Sequence, residues 1–229
     1  MRVAVMQPYF FPYIGYWQLV NDVDSFVIYD DVNFIKRGYI SRNNILQNQK
    51  AQLFTLELIG ASQNKKINEI SVGNNSKKLL KTIKQNYSKA PFFNDVFQVL
   101  DEILNNEEKE LSKFLGFSLV KIAKYLNIDT KFLYSSDIKN DKTFKAQDRL
   151  IEMSKILNAT GYINSIGGIE LYDKEIFSQN DIHLSFLKAH EISYKQFNNE
   201  FVPNLSIIDI MMFTSIDEMK KMLDEYELI

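Results

Sequence analysis

Apolar positions along this chain switch between two periods, and the switches outline a fold. Arg2–Met6 (RVAVM) is a short β-rich run that reads as a buried strand. Pro8 and Pro12 rule out a helix across the turn that follows, and each biases its predecessor towards extended geometry. From Gly15, GYWQLVND reads as a short helix, and Ser25–Tyr29 (SFVIY) as a second strand ending at Asp30-Asp31. Strand, turn, helix and strand within about thirty residues make a βαβ unit, so the two strands are expected to run parallel. Both then end on one edge of the sheet, which brings Gln7 and the opening turn close to Asp30 and Asp31. Ligands of open α/β sheets bind at that carboxyl edge.

Further along, Gln52–Ile59 (QLFTLELI) reads as another strand. Ser76–Tyr87, Asn94–Leu104 and Glu107–Leu126 carry apolar residues at three- and four-residue spacing, the mark of amphipathic helices. A second α/β stretch follows. Lys131–Ser135 reads as a strand, Lys145–Asn158 as a helix, Gly161–Asn164 as a strand, Ser165–Gly168 as a turn, and His183–Leu187 as a strand. Leu205–Tyr226 reads as two helices. The expected class is α/β, a mostly parallel sheet flanked by helices. The expected organisation is one domain, with core segments 1–60 and 128–229 and a helical insertion at about 75–127.

Composition narrows the possibilities. A chain of 229 residues suits one domain, and 45% hydrophobic residues are enough for a substantial core. A net charge of −2 leaves no footprint for nucleic acid or a membrane surface, so any basic site must be local. With no cysteine, disulfides, thiol nucleophiles and thiolate metal sites are excluded. No stretch approaches ~20 consecutive apolar residues. A soluble cytoplasmic protein is expected, with no nucleic-acid partner and no stable membrane insertion; self-association into a homo-oligomer is compatible with it.

The opening turn, QPYFFPYIGY, is the densest candidate for chemistry. Its fully apolar Phe10 and Phe11 are expected in the core. Gln7 ends a buried strand with a polar amide that needs partners, and Tyr9, Tyr13 and Tyr16 combine a ring with a hydroxyl, so these four are assigned to substrate binding. Asp30 and Asp31 cap a turn in the plainer reading; as candidate catalytic residues, either would accept a proton from a substrate amine. In NFIKRGYISRNN, Lys36, Arg37 and Arg42 interleave with Tyr39 and precede Asn43, a composition that suits a diphosphate beside a stacked base. Ser165, Gly167 and Gly168 form a turn whose backbone N–H groups can approach a ligand. The chain has two histidines. His183 falls within a strand, while His190 lies in a polar stretch and is the histidine nominated as a base. Their separation argues against a zinc site.

The opening turn also resembles the frame in which nucleotidylyltransferases place a His-x-Gly-His motif. Here the four residues are Tyr13-Ile14-Gly15-Tyr16, without either histidine. Neutral tyrosines supply no positive charge to a triphosphate. Over its whole length the chain resembles the WbqC-like family. The resemblance is carried by MQPYFFPYIGYWQLVNDVDSFVIYDDVNFIKRGYISRNNI, by RLIEMSKILNATGYINSIGG, by the spacing of His190, Tyr194 and Gln196, and by EFVPNLSIIDIMM. It departs at Ile166, where that family more often has glycine, and at Glu191, where proline commonly follows the histidine.

That resemblance implies a protein of O-antigen or other surface-polysaccharide biosynthesis. The implied activity is transfer of an acyl or glycyl-like aminoacyl group onto the amine of a nucleotide-linked amino sugar. An acyl-carrier donor such as acyl-CoA fits that reading, and ATP fits it less well. The alternatives are a nucleotidylyltransferase-like adenylating enzyme and a non-catalytic protein that binds sugar nucleotides.

Overall fold

Strand β1 (Arg2–Met6) turns alternate side chains to opposite faces, Ala4 into one core layer and Val3 and Val5 into another. The computed structural model describes residues 1–144, 146–198 and 200–229; Lys145, where the expected helix begins, and Asn199 lie outside the described residues. Helix α1 (Ile14–Asp22) and strand β2 (Ser25–Ile28) complete the βαβ unit, and β1 and β2 pair in parallel from Val3 opposite Ser25 to Met6 opposite Ile28.

The polar segment beyond β2 folds into small hairpins. β3 (Arg42–Gln47) pairs antiparallel with β4 (Lys50–Thr55), and β5 (Leu58–Ile59) with β6 (Ser71–Val72). The strand expected at Gln52–Ile59 is thus parts of two strands, and the end of the basic loop, from Arg42, belongs to a hairpin. Asn48 and Gln49 at its tip both have positive φ, 49° and 64°, the twist that suits a two-residue hairpin turn. Asn is a common residue there and Gln is not, so the turn is hard to read locally.

Helices α2 (Ser76–Tyr87), α3 (Phe93–Leu104) and α4 (Leu111–Tyr125) follow. α4 starts later than its periodicity implies, because the Glu108 carboxylate accepts hydrogen bonds from the backbone N–H groups of Lys109 and Glu110 and holds that stretch outside the helix. These helices share a core layer with α1 and with Phe26 and Ile28 of β2. Then come β7 (Lys131–Tyr134), α5 (Ala146–Ile156), β8 (Gly161–Ser165), a 3-10 turn over Ile166–Gly168, α6 (Lys174–Ser178) and β9 (His183–Ala189). The tail forms α7 (Ile207–Phe213) and α8 (Ile216–Leu223), each opened by a serine whose hydroxyl accepts a backbone N–H. A final strand, β10 (Tyr226–Leu228), runs antiparallel along β9, where helix periodicity had not indicated one.

The main sheet is ordered β10-β9-β8-β1-β2-β7; the four pairings among β9, β8, β1, β2 and β7 are parallel, and β10 is antiparallel at the edge. This is an α/β fold with a mostly parallel sheet between helices. From β1 the chain moves to β2 and β7 on one side, and then returns to β8 and β9 on the other. The turn after β1 enters α1 on one face, while Ile166 behind β8 packs into the layer on the opposite face. A crevice therefore opens at the carboxyl ends of β1 and β8, the position where doubly wound sheets place ligands. No helix of the described residues is long and apolar enough to cross a membrane.

Candidate functional site

The turn behind β1 is held from several directions. Phe10 and Phe11 are fully buried, and Phe10 stacks on Phe54 of β4 with ring centroids 5.5 Å apart. Phe11 has a φ of 47°, a conformation costly for a bulky residue. Asn43 compensates by donating its amide to the carbonyls of Phe11 at 2.8 Å and Phe10 at 3.3 Å. Trp17 donates to the Pro12 carbonyl at 3.1 Å and the Tyr16 hydroxyl to the Gln7 carbonyl at 3.0 Å. The Phe10 N–H donates to the Tyr39 carbonyl at 2.8 Å, which draws the polar loop against the turn and places Tyr39 beside Tyr9.

Behind this turn lies a cleft of two lobes. One, of about 480 Å³, is walled by Tyr9, Tyr13, Tyr16 and Tyr39, with Asn43 at its base. The other, of about 700 Å³, lies between the turn and the segment behind β9, and includes Lys188, His190, Ser193 and Tyr194. Tyr13, Gly15, Ser165 and Asn204 line both. At Gly15 a Cβ would fall 2.6 Å from the Tyr13 hydroxyl, so only glycine lets that ring lie across the first turn of α1. Burial, then the neighbouring tyrosines, raises Tyr9 and Tyr13 above the usual phenol range, and burial raises Tyr16 further. All three are neutral hydroxyls at physiological pH. His190 Nδ1 stands 3.6 Å from the Glu225 carboxylate, on an exposed rim of the larger lobe.

Tyr9, Tyr13, Tyr16, Tyr39, Asn43, Ser165 and His190 thus meet in one cleft; the remaining expected site residues do not line it. Gln7 is half-buried and contributes its carbonyl to Tyr16. Lys36 and Arg37 are exposed on the loop, and the Arg42 guanidinium donates to the Arg37 carbonyl, which closes that turn on itself. Gly167 and Gly168 form the 3-10 turn behind Ser165; at Gly168 a Cβ would fall 2.6 Å from the Asn164 amide.

Asp30 and Asp31 lie at the expected edge, where the Tyr29 N–H donates to the Met6 carbonyl at 2.8 Å, but their carboxylates face other partners. Asp30 is fully buried and accepts from the Ser135 hydroxyl at 2.9 Å, the Ser136 N–H at 3.0 Å and the Ser136 hydroxyl at 2.7 Å. Asp31 takes both Arg149 bonds, at 2.8 and 2.7 Å, together with the Ser135 hydroxyl at 2.6 Å and the Lys142 ammonium. Burial alone would raise the Asp31 carboxyl, but hydrogen bonds from Lys142, Ser135 and Arg149 hold it at about 2. A carboxylate so engaged is a poor base near neutrality. The pair stitches β2 to the loop behind β7 and to α5.

Asp209 in the first turn of α7 escaped the sequence reading. It is fully buried, and accepts from Tyr87, Tyr194 and Gln196, each at 2.7 Å. Burial pushes its carboxyl up, while those three donors pull it down. Gln196 also bonds both the N–H and the carbonyl of Val202, clipping together the ends of the loop between them. The available signal was alternation: Ile192, Tyr194 and Gln196 turn inward while Glu191, Ser193 and Lys195 stay exposed. Arg149 was also missed, as a single basic residue among the apolar positions of a helix.

Among the described residues, no group of three or more acidic or histidine side chains is placed to hold a metal ion. The cleft offers neutral rings and hydroxyls on one side and the side chains of Lys188, His190 and Glu191 on the other. Its smaller lobe is wide enough to seat a ring.

No solved structure matches the chain. The uncharacterized protein Rv1507c of Mycobacterium tuberculosis is 28% identical over 217 residues, covering 92% of each chain. A model of the WbqC-like protein family matches residues 7–221, through the opening turn, both lobes of the cleft and Asp209. The chain belongs to the WbqC-like protein family.

Proposed function

We propose that the protein is a transferase that moves an acyl or aminoacyl group onto the amine of a nucleotide-linked amino sugar in surface-polysaccharide biosynthesis. The observation that carries this reading is the cleft itself: a tyrosine-walled lobe and a lobe bearing His190 share the strip Tyr13, Gly15, Ser165 and Asn204. Two substrates entering from the two lobes meet there, and a bimolecular reaction gains most from such positioning. The donor is an acyl thioester of the acyl-CoA type. The amine nitrogen attacks the thioester carbonyl, the N–C bond forms and the C–S bond breaks. His190 accepts the proton that the nitrogen sheds and returns it to the departing thiolate. With no cysteine in the chain, direct attack by the amine is favoured over a thioester relay through the protein.

An adenylating reaction has less support. The tetrad Tyr13-Ile14-Gly15-Tyr16 does open α1, but its Tyr16 hydroxyl is committed to the Gln7 carbonyl and the smaller lobe has no basic lining residue. The test is mass spectrometry of UDP-glucosamine incubated with protein and a series of acyl-CoA donors. An acylated sugar nucleotide made by the wild type, and lost with His190→Ala, supports the proposal. Release of pyrophosphate from ATP without acyl transfer replaces it with the adenylating reading.

A further inference from the structure

The smaller lobe carries more information than its position. Tyr9 lies 5.5 Å from Tyr16 at 42° and 5.9 Å from Tyr39 at 51° between ring planes. Rings tilted in this way form a corner, not the parallel slot in which a flat base is held between two faces. Tyr39 is 57% exposed and Tyr13 42%, so both offer ring surface to a ligand. Among the residues lining this lobe none is charged; the Tyr16 hydroxyl and the Asn43 amide are engaged by backbone carbonyls, which leaves the hydroxyls of Tyr9, Tyr13 and Tyr39 and the side chains of Ser165 and Asn204 to meet a ligand. Neutral donors and acceptors around a tilted aromatic corner suit a puckered ring bearing hydroxyl groups. They do not suit a diphosphate, which would bring two negative charges to a wall without a cation.

We infer that the smaller lobe binds the acceptor by its sugar ring and leaves the phosphate-bearing carrier outside, so that the ring decides affinity; this rests on the cleft being an amino-sugar site. The carrier leaves past Tyr39 towards the exposed turn of Lys36 and Arg37. A contact there is screened by salt and adds little. The assignment differs from the expectation that Lys36, Arg37 and Arg42 grip the diphosphate.

Calorimetric titration with three probes, methyl glucosaminide, UDP and UDP-glucosamine, tests it. The two sugars are expected to bind within about tenfold of each other, and UDP alone more than about tenfold more weakly. Tyr39→Ala is expected to weaken both sugars by about tenfold, the size of one lost aromatic contact, and Tyr39→Phe by less. Tyr39 is exposed, so the unfolding midpoint should not move. Replacing Lys36 and Arg37 together by alanine should change sugar binding by less than about threefold. If UDP binds as tightly as UDP-glucosamine, or if the double replacement abolishes binding while Tyr39→Ala does not, the inference is overturned and the transferase proposal stands. Ring binding that depends on Tyr39, without acyl transfer to any acceptor, supports the inference and removes the transferase reading. Binding of none of the three probes overturns both.

Discussion

The Tyr194 hydroxyl donates to the Asp209 carboxylate at 2.7 Å, which joins a wall of the cleft to a helix buried beneath it. Tyr87 on α2 and Gln196 on the same strap complete the set of donors. One carboxylate thereby fixes the strap behind β9, the helical middle of the chain and α7 relative to one another. The Tyr87 hydroxyl extends the chain of bonds to β3, accepting the Leu46 N–H at 2.8 Å.

Removing that carboxylate is expected to be costly. Asp209→Ala takes the acceptor from the Tyr87 and Tyr194 hydroxyls and from one Gln196 N–H, and should lower unfolding free energy by about 3 kcal/mol in a denaturant titration. Asp209→Asn keeps an acceptor and should cost less. Equal stability of Asp209→Ala and wild type would remove Asp209 from its organising role.

Asp31 predicts a window of acid sensitivity. Its folded-state pKa of about 2 lies below the unfolded value of about 4. The stabilisation is complete above about pH 4 and is lost as pH falls towards 2, where the folded carboxylate is finally protonated. Asp31→Asn should flatten that part of the stability profile measured by thermal melting. Arg149→Met should destabilise at neutral pH by roughly 2 kcal/mol, because it removes the buried cation from Asp31 and leaves only Lys142 and Ser135 as its partners.

His190→Ala should lower the acyl-transfer rate by about a hundredfold or more, with the affinity for the acceptor nearly unchanged. The same loss in rate and affinity would make His190 a binding residue and leave the proton without an acceptor.

Gly15→Ala separates fold from site. The new methyl group meets the far end of the Tyr13 side chain, which can swing away, so the unfolding midpoint should change little. Tyr13 cannot keep its position between the lobes, and sugar binding should weaken by about tenfold or more. Unchanged binding would show that Tyr13 contributes nothing to the seat.

The parts of the fold legible in the sequence are those set by near neighbours along the chain. The β-rich run Arg2–Met6, the prolines at 8 and 12, the helix read from Gly15 and the run Ser25–Tyr29 foretold β1, the turn, α1 and β2 to within a residue or two. The β3–β4 hairpin was not legible, because Asn48-Gln49 lacks the glycine that usually marks such a turn. Nor was β10: three residues hold no period, and pairing with β9 is what makes them a strand.

For the site, residue chemistry alone indicated the tyrosines of the opening turn, Tyr39, Ser165 and His190. All lie in the cleft because β1, β8 and β9 end on one edge. Sequence order also brought Asp30 and Asp31 to that edge. Which way a carboxylate turns depends on partners more than a hundred residues away, here Ser135 and Arg149. The same holds for Asp209, which reads as an ordinary residue of an apolar helix until Tyr87 and Tyr194 are brought to it. By itself the sequence determined the α/β class, the opening turn and the sheet edge on which it lies, since short-range sterics and hydrophobic period encode these. Only the tertiary structure decided which polar groups are consumed in holding the molecule together and which face the cleft, because a buried charge takes whatever donors the assembled fold supplies.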